Sequence, residues 1–282
     1  MRESDFSWGA KLGGGTFGAV YVVTRKTDGA RFVAKEVNLA DEKNRESAMK
    51  EVHILERINH PRIVRLLGSY RERGLLVIVM EHCDAGDLRH LLLGRQGELL
   101  PEEDVWKYFL QTAMGLQHLH SLRIIHRDVK SQNLFLTKQG GVKIGDFGLS
   151  RLIGPKEMFA QSFVGTPYYL SPELCEDGAY SEKTDIWSLG VVLYEVLTCG
   201  TRFPFDAHNQ AALICAILRA EYRPPPEQCA AAAHPLCTCS APPLRTACCC
   251  CGGGRFQLRR CFSWNRLHFR IRSCWCCCCW SC

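Results

Sequence analysis

The feature that most constrains this chain is the run His126-Arg127-Asp128-Val129-Lys130-Ser131-Gln132-Asn133, with Asp146-Phe147-Gly148 following it. The run brings together a carboxylate, an ammonium and a carboxamide, and Asp146 adds a second carboxylate. Asn133 and Asp146 offer oxygen ligands of the kind Mg²⁺ prefers. Asp128 can accept a hydroxyl proton, and Lys130 can meet a phosphate. These are the needs of phosphoryl transfer, which asks for positioned metal, neutralised phosphate charge and an oriented hydroxyl. A merely polar loop has no reason to hold all these types at this spacing.

A second signal lies upstream. Gly13, Gly15 and Gly18 form a G-x-G-x-x-G loop, in which backbone N–H groups can approach phosphate oxygens without a Cβ in the way. In a chain with 24 glycines such a triplet is weak alone. A dinucleotide-binding loop would open a helix inside a βαβ unit. Here Gly18 leads into the β-rich run Ala19-Val20-Tyr21-Val22-Val23, the turn Thr27-Asp28-Gly29 and a return strand Arg31-Phe32-Val33-Ala34-Lys35. That pattern predicts a hairpin lying over a nucleotide. Lys35 on the return strand can hold phosphates, and Glu51 on the next helix can fix it as an ion pair. Either charge alone would read as ordinary surface.

The remaining pattern divides into a β-rich part and a helical part. A helix is predicted from about Glu42 to Ile58, then strands near Val64–Leu67 and Leu75–Met80. Pro101-Glu102-Glu103 marks a helix start with proline in its first turn. Short strands follow at Asn133–Thr137 and Val142–Gly145, then helices at Asp185–Leu197 and Gln210–Leu218. Arg223-Pro224-Pro225-Pro226 ends the ordered pattern.

Length and composition set bounds. The 282 residues suffice for one large domain, and 46% hydrophobic with 23% charged residues is ordinary for a globular chain. The net charge of +6 is uneven, because the segment from Cys229 onward has seven arginines and no acid. The preceding 228 residues carry −1, so no bulk attraction to nucleic acid or anionic membrane is expected. Before residue 229 the cysteines are Cys83, Cys175, Cys199 and Cys215, and such sparse thiols point to a reducing compartment. Met1 to Ala10 holds no apolar core of a secretion signal, and no apolar run is long enough for a transmembrane helix.

From about Phe6 to Pro226 the sequence resembles the eukaryotic protein kinase family. His126-Arg127-Asp128 resembles its catalytic loop and Asp146-Phe147-Gly148 its metal motif. Ser171-Pro172-Glu173 stands where Ala-Pro-Glu is usual. Asp185-Ile186-Trp187-Ser188-Leu189-Gly190 is similar to the helix that anchors the catalytic loop. The resemblance implies an α+β bilobal fold: a β-rich N-lobe over 1–80 with one main helix, a hinge over 81–84, and a mostly helical, truncated C-lobe over 85–228. It implies transfer of the ATP γ-phosphate to Ser or Thr hydroxyls of protein substrates, with Mg²⁺ as cofactor and Mn²⁺ as an alternative ion. Asp128, Lys130, Lys35 and Glu51 take the catalytic roles, and Asn133 and Asp146 hold metal. The nucleotide is expected to meet Leu12, Gly13, Gly15, Gly18, Val20, Ala34, Lys35, Met80 as gatekeeper, Glu81, Cys83 and Phe135.

Lys130 and Gly165-Thr166-Pro167-Tyr168-Tyr169 resemble the serine/threonine type, with Thr166 bonding toward Asp128 and Lys130. Leu149 resembles members that favour serine. Within the family, Asp128 to Leu136 and Phe163 to Glu173 are most similar to NIMA-related kinases, which implies a cytoplasmic, cytoskeleton-associated protein. Ser162 and Thr166 are the candidate phosphosites, since Arg127 can pair with added phosphate.

After Pro226 the family pattern stops. The segment 229–282 is rich in cysteine and arginine, with Cys248–Cys251 and Cys276–Cys279 as runs. A zinc or redox element, a palmitoylated basic tail and a frame-shifted end without function are its three readings, the last favoured because no packable core is encoded. The family arginine that pairs with the glutamate standing here as Glu173 is not found. A buried, stranded Glu173 would cost about 3–5 kcal/mol, and lost C-terminal helices would bare apolar faces of the Asp185–Leu197 helix. The alternative to an active enzyme is therefore an inactive, unstable truncated kinase serving at most as a scaffold.

Overall fold

The computed structural model describes residues 1–15, 18–148, 150–152, 167–176 and 178–226. Chain contacts divide into the units Met1–Pro224 and Pro225–Cys282, and only 225–226 of the second unit fall within the described residues. Leu149, Ser162, Thr166 and the cysteine-rich segment 229–282 lie outside them.

Five antiparallel strands make the first layer: β1 (Phe6–Gly15), β2 (Gly18–Arg25), β3 (Arg31–Asn38), β4 (Leu66–Glu72) and β5 (Leu75–Glu81), in the order β1-β2-β3-β5-β4. Because side chains alternate across a strand, the sheet has two apolar faces. One holds Phe6, Val23, Ala34, Val77 and Val79. The other packs Val37, Leu76 and Ile78 against Ala48 and Val52 of α1 (Glu42–Glu56). The predicted helix ran two residues further. Arg57 and Ile58 donate instead to carbonyls three residues back, which tightens and ends the helix.

The predicted strand at Val64–Leu67 is shifted in the structure. Ile63 forms a parallel bridge with Ile144 and Val64 N–H donates to Ile144 O, so the stretch before Arg65 is tied to the strand Val142–Ile144 and β4 begins only at Leu66. The strand proper continues through Gly68-Ser69-Tyr70-Arg71-Glu72, whose polar character hid it from an apolar pattern.

The second half contains α2 (Leu88–Gly94), α3 (Glu102–Ser121), β6 (Ile124–Ile125), β7 (Leu134–Leu136), β8 (Val142–Ile144), β9 (Arg151–Leu152), α4 (Pro172–Cys175), α5 (Glu182–Leu197) and α6 (Gln210–Leu218). Pro101 is the N-cap of α3 rather than part of its first turn, with ψ 143°. α5 starts three residues before the predicted Asp185. Ser181 Oγ accepts from Lys183 N–H, and Thr184 Oγ1 accepts from Ser181 N–H, a reciprocal cap upstream of the first apolar residue.

Two premises of the instability expectation differ in the structure. Glu173 is half-buried rather than buried, and its Oε1 accepts from Thr184 Oγ1 at 2.8 Å. α5 does not bare an apolar face, since all its residues from Trp187 to Leu197 except Gly190 are buried. Trp187 and Val191 pack with Phe205, Leu213 and Ile217 of the following segment and α6. Among the described residues no helix is long and apolar enough to cross a membrane.

Candidate active site

The glycine hairpin has one position where only glycine fits. Gly18 has φ +145°, and a Cβ there would lie 1.6 Å from Glu36 O on β3. Gly13 has open space around its Cα, so its value is access rather than fit. Leu12 is exposed on β1, and Val20 pairs in register with both Gly13 and Lys35.

Lys35 is where three elements meet. Its Nζ lies 2.7 and 3.0 Å from the two oxygens of Glu51 on α1 and 3.4 Å from Asp146 Oδ1. Glu51 is only 2% exposed. Burial works against the Lys35 ammonium, but Glu51 and Asp146 outweigh it and hold Lys35 above its ordinary value. Burial, with the charge of Asp146, holds the Glu51 carboxyl above the usual carboxylate range despite Lys35. Burial also pushes Asp146 upward, yet Lys35, His126 and Lys130 together leave it below that range. A cation shared by two carboxylates is thus kept charged.

Strand register corrects one nucleotide-contact assignment. Lys35 faces Val20 and Ile78, and Val33 faces Val22 and Met80, so Val33, Lys35 and Met80 share a face. Ala34 pairs with Tyr21 and Val79 on the opposite face and is buried in the cluster with Phe6 and Val23. Ala34 therefore does not line the Lys35 side, and Val33 does. Two-residue alternation counted back from Lys35 carries this signal. Glu81 and Cys83 follow at the exit of β5, and Phe135 on β7 bridges Asp87 at the entry to α2. Met80, Glu81, Cys83 and Phe135 are all half-buried. Lys143 on β8 ties Glu81 at 3.0 Å and Pro61 O at 3.1 Å, a link that sequence reasoning missed.

The catalytic run forms a tight loop between β6 and β7. Lys130 Nζ donates to Asp128 Oδ2 at 2.7 Å, and Asn133 Nδ2 donates to Asp128 O and Oδ2 at 2.8 and 2.9 Å. With its hydrogens given to Asp128, the Asn133 amide offers oxygen. Asp146, next to Lys35, adds carboxylate oxygens, so the donor set is oxygen and suits a hard cation. Gly145 N–H donates to Asn133 O at 3.0 Å, which places the two donors side by side.

Asp185 at the start of α5 holds the loop from below. It is 1% exposed and accepts from His126 N–H, Arg127 N–H and His120 Nε2 at 2.9, 2.9 and 2.8 Å. Arg127 and Asp146 both take the left-handed conformation, with φ +71° and +60°. Such backbone costs of order 1–3 kcal/mol and persists only where surroundings enforce it. His126 meets Gly145 O at 3.1 Å and the Phe147 ring edge-on at 5.0 Å, joining the two runs that sequence singled out.

A small sheet over a helical base, a lysine clamped between two carboxylates, and an aspartate–asparagine loop braced by a buried aspartate are what the protein kinase domain is built from. The description of that domain matches residues 6–241, and the chain belongs to this family. Within it the chain is similar to NIMA-related serine/threonine kinases. It is 43% identical over 216 residues to serine/threonine-protein kinase Nek5 of Homo sapiens, covering 76% of this chain and 30% of that protein. It is 41% identical to Nek1 of Mus musculus, covering 76% of this chain and 18% of that protein. The probable serine/threonine-protein kinase nek2 of Dictyostelium discoideum is 39% identical over 77% of this chain and 53% of its own length. The chain thus spans about a third or less of the mammalian Nek5 and Nek1 proteins it matches.

Proposed function

We propose that this chain transfers the γ-phosphate of ATP to serine or threonine hydroxyls of protein substrates, with Mg²⁺ held by Asn133 and Asp146. The observation that supports this most is the meeting of Lys35 with both Glu51 and Asp146, the latter 111 residues away in sequence. Bound Mg²⁺ would neutralise charge on the phosphate oxygens. Asp128 orients the acceptor hydroxyl and takes its proton, while Asn133 and Lys130 fix the carboxylate. Lys35 binds phosphate because Glu51 and Asp146 keep it charged and in place. Val20, Val33 and Met80 shape the apolar side of the nucleotide site, and the backbone at Glu81 and Cys83 meets the base.

Serine as the favoured acceptor, Ser162 and Thr166 as phosphosites, and cytoplasmic, cytoskeleton-associated residence belong to the same proposal and rest on the resemblance. The test is phosphate transfer from labelled ATP to a mixed Ser/Thr protein acceptor, with Asp128→Asn as control and phospho-amino-acid analysis of the product. Transfer no greater than that of Asp128→Asn with either Mg²⁺ or Mn²⁺ would refute the activity.

A further inference from the structure

Beneath the catalytic loop lies a second buried carboxylate that the proposed mechanism does not use. Glu195 on α5 is 0% exposed. Its Oε1 accepts from Ser131 Oγ at 2.8 Å and from Arg89 Nη1 at 2.7 Å, and its Oε2 accepts from Tyr169 OH at 2.5 Å. Ser131 sits between Lys130 and Asn133 and is itself fully buried. Tyr169 closes the short turn Pro167–Tyr169 that leads into Ser171-Pro172-Glu173 and α4. Glu195 thus joins the loop carrying Asp128 and Asn133 to the Pro167–Tyr169 turn.

Arg89, on the first turn of α2, is the cation of this network. Its Nη1 also donates to Gly200 O at 3.2 Å. Its guanidinium lies 5.7 Å from the Phe203 ring centroid, and that ring stacks on Tyr168 at 4.4 Å and meets Tyr169 edge-on at 5.8 Å. Room for the guanidinium is built in, since a Cβ on Gly200, which has φ +70°, would lie 3.1 Å from Nη1. Burial and the charge of Glu195 push the Tyr169 hydroxyl above its ordinary range, so it stays a donor. A buried carboxylate left with only hydroxyl donors carries an uncompensated charge.

We propose that Arg89 is a positioning residue for phosphotransfer, acting as the internal counterion of Glu195 and so holding Ser131 of the catalytic loop and Tyr169 of the Pro167–Tyr169 turn in one network. The inference rests on the kinase reading for its effect on rate. Its structural half, counterion to a buried carboxylate, can be read independently of activity.

The experiment compares the full chain with Arg89→Met and with the double variant Arg89→Met/Glu195→Gln, which removes both charges but keeps an acceptor oxygen. Arg89→Met is expected to lower kcat by about tenfold or more with the ATP KM within about twofold, because the Lys35 clamp is untouched. The double variant is expected to recover most of that loss, and amide exchange across 128–133 should rise in Arg89→Met and fall back in the double variant. Parental kcat in Arg89→Met, or a double variant no better than the single, would overturn the counterion role. If Arg89→Met does not fold cooperatively, the double variant decides: with both charges removed it should fold cooperatively and keep most of kcat, and failure to fold there too would overturn the role. An inactive parent would sink the kinase reading alone, since the exchange comparison still settles the counterion.

Discussion

Replacing Asp185 with asparagine tests how the catalytic loop is held. The two side chains match in shape, so no cavity is made and only hydrogen bonding and charge change. Asp185 accepts three bonds: Oδ2 serves His126 N–H and His120 Nε2, and Oδ1 serves Arg127 N–H. Asparagine has one acceptor oxygen. Its best placement keeps the two bonds at Oδ2 and turns an NH₂ toward the Arg127 N–H. One bond to a charged group is then lost, worth about 1.5–3 kcal/mol, and a donor is left facing a donor at a buried site. A total near 3 kcal/mol follows, which in a domain of this size lowers Tm by roughly 6–12 °C. The bond lost is the one that pins Arg127 at φ +71°, next to Asp128. Turnover should therefore fall more than stability alone explains when both are measured well below Tm. Thermal unfolding by circular dichroism, with kcat at 20 °C on the same preparation, reads both. An asparagine variant within about 1 kcal/mol of the parent and with unchanged kcat would refute the reasoning, since a single lost bond to a buried charge should exceed that.

Other consequences are direct. Gly18→Ala should destabilise the hairpin and raise the ATP KM, because its Cβ would strike Glu36 O; unchanged nucleotide affinity by calorimetry would count against it. Val33→Phe should raise the ATP KM, whereas Ala34→Val should overpack the far face, costing about 1–3 kcal/mol with the KM unchanged; the opposite pattern would restore Ala34 to the nucleotide side. Burial, with the charge of Glu81, pushes the Cys83 thiol up to about 12. At pH 8 its alkylation, followed by peptide mass spectrometry, should be at least about tenfold slower than for a thiol of ordinary pKa, the scarcer thiolate being only partly offset by its greater nucleophilicity. Lys35 is raised above 10.5, so its charge is intact at every pH below the ordinary lysine value and is lost only as pH rises past it. The pH–rate profile should then show no lysine limb below pH 10.

Much of the site was legible in advance because its chemistry is local. Asp128, Lys130 and Asn133 fall within one loop, and Gly13, Gly15 and Gly18 fall within one hairpin. A β-rich run and the turn after it placed β2 and β3, and the helix expected at Gln210–Leu218 is α6. Elements whose stability comes from elsewhere were harder to see. β4 is polar in its second half and is a strand because β5 lies beside it. The start of α5 is set by a Ser181–Thr184 cap rather than by an apolar residue. Glu173 looked stranded because its partner was sought as an arginine beyond Pro226, while Thr184, eleven residues on, supplies a hydrogen bond.

By itself the sequence determined which chemical groups this protein has and, through short-range spacing, which loops and strands carry them. The tertiary structure decided which groups share charge. Lys35 with Asp146, Asp185 with the Arg127 backbone, and Arg89 with Glu195 are separated by 111, 58 and 106 residues. No local pattern encodes such pairs, because a carboxylate becomes a partner only when folding has removed the water that would otherwise solvate it.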